Sequence, residues 1–192
     1  MSQEATSSRD KPVGWRRALL RRFVRNRKGS TAIEFTLLAI PFSMLVFAVL
    51  ESSISFAAQQ VMANAADDIA RQFRTGQIKA DDFSKQEVRD LICGRMQIVV
   101  SPGCPGLEVD FRSYATFAQA AQVRVKFEND GDLDTDEFDI LPGDSMSKNM
   151  LRVFYRWPVI TDFMRKSMAN LPDGKTLHFA SVTWQNEPYE DE

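Results

Sequence analysis

The sequence predicts an α+β protein: a long N-terminal helix whose outer half packs on a small antiparallel sheet and whose inner half is long enough to span a membrane. Three observations predict it. No charged side chain interrupts Phe35 to Leu50, an Ala-rich stretch at helical spacing continues to Gly76, and beyond residue 106 apolar and polar residues alternate with a period of two.

The apolar element comes first in the chain. Ser30 to Leu50 is 21 residues, or about 31 Å of helix at 1.5 Å per residue, which matches a hydrocarbon core of about 30 Å. Its N-terminal flank carries Arg16, Arg17, Arg21, Arg22, Arg25, Arg27 and Lys28. The positive-inside rule therefore places residues 1–29 in the cytoplasm and everything after about residue 51 on the other side. The expected organisation is a basic leader over 1–29, a transmembrane helix over 30–51 and an outward domain over 52–192. Pro41 falls inside the span, where it removes one backbone hydrogen bond and bends the helix. The leader segment "VGWRRALLRRFV" also suits a surface helix on anionic lipid.

Other uses of an apolar run stay open. Ser55-Phe56-Ala57 could serve as a signal-peptidase site, Arg21-Arg22-Phe23 suggests twin-arginine export, and a plain signal anchor explains both span and topology. None of these gives Glu34 a role. A charged residue at mid-bilayer costs about 2.5 to 3.5 kcal/mol on insertion scales, and intramembrane charges are usually partnered. A cut between Gly29 and Ser30 would create an α-amine four residues before Glu34, one helical turn away.

Charge narrows the function classes. Residues 1–29 carry a net +7 and the remainder −9, against −2 for the whole chain. A nucleic-acid surface belongs on the folded part, and that part is acidic, so nucleic-acid binding is not expected.

The remaining elements follow from periodicity. One helix is expected from about 30 to 75, with Ile54, Val61, Ala65, Ile69 and Phe73 at helical spacing and Gly76 as its C-cap. A second runs from Ser84 to about Gln97, with Ser84 and Glu87 as a capping box and Val88, Leu91, Ile92 and Met96 on its buried side. Strands are expected around Leu107, Val109 and Phe111; around Val123, Val125 and Phe127; and over Leu151–Trp157 and Leu177–Trp184. A short amphipathic helix fits Thr161–Ala169.

Candidate chemistry is sparse. Cys93 and Cys104 are the only cysteines and His178 the only histidine, too few ligands for a zinc site. A disulfide between the two cysteines would contribute roughly 3 kcal/mol by loop entropy, with two buried thiols in a cytosolic domain as the alternative. The acidic segment Glu128–Asp139 fits no EF-hand register, because Gly131 lies too early relative to Asp132, Asp134 and Asp136, and it reads as a solvated loop rather than a cation site. His178 lies in a strand pattern, where a lone histidine is more often surface or satisfied core than a catalytic base. No nucleophile elbow, phosphate loop or metal spacing is present, so neither catalysis nor a cofactor is expected.

The junction "RNRKGSTAIEF" resembles the class III signal of type IV pilin-like proteins, with Gly29, Ser30 and Glu34 at the matching positions. The C-terminal "TLHFASVTWQNEPYEDE", with "VFYRWPVIT" and "LEVDFRSY" after the paired cysteines, resembles the TadE-like minor pseudopilins of tight-adherence (Flp-type) pilus systems. The resemblance implies a pilin-like fold and a non-enzymatic subunit that primes or tips a pilus. It also implies cutting after Gly29 by a prepilin peptidase, and an assembly role for Glu34. The implied partners are other minor pseudopilins, the major Flp pilin and the inner-membrane assembly platform, and the implied location is the bacterial inner membrane with a periplasmic domain. The tail Asn186, Glu187, Pro188 and Tyr189 is implied either as a partner contact or as a terminus that caps the last strand. The competing class is an uncleaved, signal-anchored periplasmic binding or sensor module.

Overall fold

The computed structural model describes residues 29–80 and 83–189. The expectations for the basic leader, including its amphipathic segment and the arginine pair, lie outside the described residues. The chain divides after Phe47 into two units.

Helix α1 runs Ser30–Arg74 and contains Pro41. In the first unit Phe35, Leu37, Leu38, Phe42 and Leu45 all stand exposed. Such an all-round apolar surface suits lipid rather than water. Among the described residues this is the one helix long and apolar enough to cross a membrane, with a mean hydropathy of 2.2 in its most apolar window. It ends as expected: Gly76 takes φ +68°, and Gln77 N–H donates to the Gln72 carbonyl at 3.0 Å.

The second unit is built on the outer half of α1. Ala58, Met62, Ala65, Ala66, Ile69, Ala70 and Phe73 are buried along one stripe, the three-and-four spacing of a helix face. Small alanines let the backbone approach the sheet. Ile54, expected on that stripe, is instead exposed, because the packed face runs through Glu51, Ser55 and Ala58, spaced by four and three residues, and Ile54 falls beside it.

Helix α2, Lys85–Met96, opens with the expected capping box, in which Ser84 accepts from Glu87 N–H and the Glu87 carboxylate accepts from Ser84 N–H. Val88, Ile92, Cys93 and Met96 are its buried residues. The Cys93–Cys104 disulfide, with Cα atoms 5.7 Å apart, ties its last turn to the turn that enters the sheet.

The sheet comprises β1 (Leu107–Tyr114), β2 (Ile140–Leu141), β3 (Lys148–Pro158) and β4 (Lys175–Gln185) in the order β2-β1-β3-β4. β1 with β3 and β3 with β4 are antiparallel. The sheet is mixed rather than antiparallel throughout, since the two-residue β2 pairs parallel to β1. Leu107, Val109 and Phe111 of β1, Leu151, Val153, Tyr155 and Trp157 of β3, and Ala180 and Trp184 of β4 form one core with the helix stripe. Phe73 meets Phe111 edge-on at 4.8 Å.

β3 is buried on both faces, which alternation alone did not indicate. On the far face Asp110 and Arg152 pair beneath Phe138 and Phe154, whose rings lie 5.0 Å apart. What covers that face is the segment expected as a strand at Val123–Phe127. It follows helix α3 (Phe117–Gln122), capped by Thr116, and forms no ladder beyond a single bridge, Phe127 with Leu133. Its backbone is satisfied otherwise: the Arg124 carbonyl accepts from Arg152 Nη1 at 3.3 Å, and the Lys126 carbonyl from Asp134 N–H at 3.1 Å. Helix α4, Asp162–Met168, is the expected short helix between β3 and β4.

Candidate functional site

The residues singled out from sequence fall into two separate places. Gly29 lies immediately before α1, and a Cβ there would meet nothing within 4 Å. Ser30 is the first residue of α1. Glu34 stands exposed one turn further along. A basic-to-apolar boundary, the start of a helix and a carboxylate one turn inside it therefore coincide within six residues.

The tail lies elsewhere, folded against the end of α1. Asn186 is 2% exposed. Its Oδ1 accepts from Trp184 Nε1 at 2.7 Å, and its Nδ2 donates to the Gly143 and Asp144 carbonyls at 2.8 and 2.9 Å. Glu187 N–H donates to the Arg74 carbonyl at 2.8 Å, satisfying an acceptor that the helix terminus leaves open. The Glu187 carboxylate lies 3.5 Å from Arg74 Nε. Tyr189 N–H donates to Ser145 Oγ, and its ring sits where a Cβ on Gly76 would be, 2.8 Å away. The Asn-Glu-Pro-Tyr unit thus closes the C-terminal end of α1 and the β2–β3 turn together. Glu187 and Pro188 remain exposed.

His178 is buried on the helix-facing side of β4. Its Nε2 lies 3.0 Å from Ser55 Oγ, and its ring stacks on Trp157 at 5.3 Å. Burial pushes the imidazole down to about 4, so it stays neutral near pH 7. The pair borders an apolar cavity of about 410 Å³ lined by Ser52, Phe56, Gln59, Met168 and Thr176. Its evident work is to fasten β4 to α1. Ser55-Phe56-Ala57, weighed as a cleavage site, lies inside that helix with Ser55 engaged by His178.

Sequence reasoning passed over Glu51. Its buried carboxylate accepts from Ile160 N–H at 2.5 Å and Thr161 N–H at 3.2 Å, and from the Thr161 hydroxyl. The signal was available: Glu51 is the only charged residue between Glu34 and Asp67. The acidic segment is partly used inside the fold, where Asp132 reaches Arg156 at 3.4 Å, Glu137 reaches Lys126 at 2.5 Å, and Asp139 pairs with Lys85. Among the described residues no group of three or more metal-ligating side chains converges.

A single apolar helix of spanning length that continues into a small disulfide-bonded α+β domain defines a pilin-like arrangement. Residues 29–71 match the family model described as TadE-like protein, and that segment of the chain is similar to the family. The matched stretch begins at Gly29 and ends within the last turn of α1. No curated protein matches the chain, and no solved structure does.

Proposed function

We propose that the chain is a minor pseudopilin, a structural subunit that primes or tips a tight-adherence pilus after a prepilin peptidase cuts it behind Gly29. The TadE-like family is a non-enzymatic family associated with tight-adherence pilus assembly, and one observation carries the finer reading. The family match begins at Gly29, the residue that separates the basic leader from the first turn of α1, with Glu34 one turn inside.

In this reading the leader stays in the cytoplasm, residues 30–51 cross the inner membrane and residues 52–192 stand in the periplasm. The cut creates a cationic amine on Ser30. In a bundle of such helices that amine and the Glu34 carboxylate of a neighbour attract strongly in a low-dielectric setting and set the stagger between subunits. The outward domain then selects partners by surface contact: other minor pseudopilins, the major pilin and the assembly platform.

The test is the N-terminus of the membrane-bound product, from full chain produced with and without a prepilin peptidase. A new terminus reading Ser-Thr-Ala-Ile-Glu, absent for Gly29→Val, is the expected result. An uncut membrane form in both cases would instead make the chain a signal-anchored module. A soluble product starting near Ala58 would reduce the apolar run to an export signal.

A further inference from the structure

The corner between β3 and β4 has a feature that the assembly role does not use. Both ends of α4 are held at one level of α1. At its start, Thr161 is bound to the Glu51 carboxylate through its backbone N–H and its hydroxyl. At its end, Met168 Sδ lies 3.9 Å from Ser52 Oγ. Glu51 and Ser52 are consecutive, separated by about 1.5 Å along the helix axis, whereas a seven-residue helix is about 10 Å long. Helix α4 therefore lies crosswise to α1.

That level is where the apolar run stops. Val49 and Leu50 are exposed, immediately before Glu51, and on the other side Ile54 and Phe56 are exposed as well. Apolar side chains turn outward at the same place: Ile160, just before α4, is 73% exposed and Phe163, in its first turn, 45%. Lys166, also exposed, lies three residues after Phe163 on the same face of α4. Arg165 is held beside Asp162 at 3.0 Å. Two exposed apolar residues followed by a cation, at a corner held to the Glu51–Ser52 level of α1, match the make-up of a segment resting in the headgroup layer.

We propose that the Val159–Met168 corner is a membrane-surface foot, with Ile160 and Phe163 inserted among the lipid headgroups at the outer end of the span and Lys166 on a lipid phosphate. The lipid layer is the occupant because the patch is continuous with the end of the apolar run. The inference rests on residues 30–51 crossing the bilayer. Its physical effect is to fix the domain's tilt on the membrane: a span alone leaves that free, and a span plus a foot does not. The Glu51–Thr161 contact is what couples the two.

The full chain in nanodiscs of phosphatidylcholine and phosphatidylglycerol tests this. Nitroxides are attached, one at a time, to Ile160→Cys, Phe163→Cys, Ile40→Cys in mid-span and Ile98→Cys in the exposed turn after α2. The native cysteines are bonded to each other and do not take the label. Collision with oxygen is compared with collision with a water-soluble nickel chelate. At positions 160 and 163 the oxygen-to-nickel ratio should lie several-fold above that at 98 and below that at 40. A ratio equal to that at 98, with a high value at 40, overturns the foot and leaves the span. A low value at 40 overturns the span itself. Exclusion of both reagents from 160 and 163 means that protein, such as a second copy, covers the corner, and overturns the lipid assignment.

Discussion

Glu51 and Thr161, 110 residues apart in the chain, share a hydroxyl hydrogen bond and a backbone hydrogen bond to one carboxylate. With the Ile160 amide added, the glutamate caps the strand-to-helix corner from outside, doing for α4 what a side-chain N-cap would otherwise do. Thr161 itself makes no side-chain cap. Replacing Glu51 with Ala leaves two amides without their acceptor at a part-buried site and should cost about 2 kcal/mol. Glu51→Gln keeps an acceptor and should cost about half as much. Denaturant unfolding of the detergent-solubilised chain measures both, and hydrogen exchange at Ile160 and Thr161 should rise by more than exchange elsewhere.

His178 should make the domain lose stability in mild acid. Its folded value is lowered to about 4 from an ordinary 6.5, so between those values the unfolded chain binds the proton and the folded chain does not. Stability is complete above pH 6.5 and falls as pH drops toward 4, by about 2 kcal/mol in all once solvent screening is allowed for. Carboxylates act lower. Glu87, held down by the Ser84 amide, and Asp139, held down by the Lys85 ammonium, lose their contribution as pH falls through and below the ordinary carboxylate range. The paired variant Ser55→Ala/His178→Phe should flatten the melting temperature between pH 6.5 and 4.5 and leave the lower transition. An unchanged slope in that interval would show that His178 is not the group responsible.

The long apolar helix, the capping box of α2, the cysteine pair and the three long strands were legible because each is set by local pattern: charge absence, cap chemistry or alternation. The Gly76 stop was legible for the same reason. What escaped was non-local. Val123 and Val125 are half-buried while Phe127 is exposed, and whether the segment forms a ladder depends on a neighbouring edge; Arg152 takes the Arg124 carbonyl instead. The parallel pairing of β2 is two residues long, below what any period can register. Glu51 could have been suspected as an isolated charge, but its partners lie more than a hundred residues away.

The far face of β3 supplies a third prediction. Asp110 and Arg152 are both buried, with Arg152 Nε and Nη2 donating to Asp110 Oδ2 at 2.9 and 2.5 Å. The guanidinium also lies 5.4 and 5.7 Å from the Phe138 and Phe154 ring centres. Arg112 approaches the other carboxylate oxygen at 2.7 Å. Asp110→Ala removes the shared anion from two guanidinium groups and should cost about 3 to 5 kcal/mol, because a buried charge is then left without its partner. Replacing the buried pair together, as Asp110→Leu/Arg152→Met, should recover much of that loss. Chemical denaturation of the two variants checks the contrast, and equal destabilisation by both would refute it.

The tail can be separated into a part that closes the fold and a part that faces outward. Asn186→Ala strands the Trp184 indole N–H and two buried carbonyls, and should cost about 2 to 3 kcal/mol. Gly76→Ala meets two obstacles, a φ of +68° and the Tyr189 ring at 2.8 Å, and should cost about 1 to 2 kcal/mol. Tyr189→Ala should relieve only the steric share, so the double variant is less destabilised than the two single effects combined. Glu187 and Pro188 behave differently because they are exposed. If they contact a pilus partner, Pro188→Ala and Glu187→Gln, which loses only an exposed ion pair with Arg74, should change thermal stability by no more than about 0.5 kcal/mol while reducing pilus assembly in a complemented deletion strain. Normal assembly with those two surface variants, together with defects from Asn186→Ala that track its lost stability, would give the whole tail to the fold and move the partner surface elsewhere on the domain.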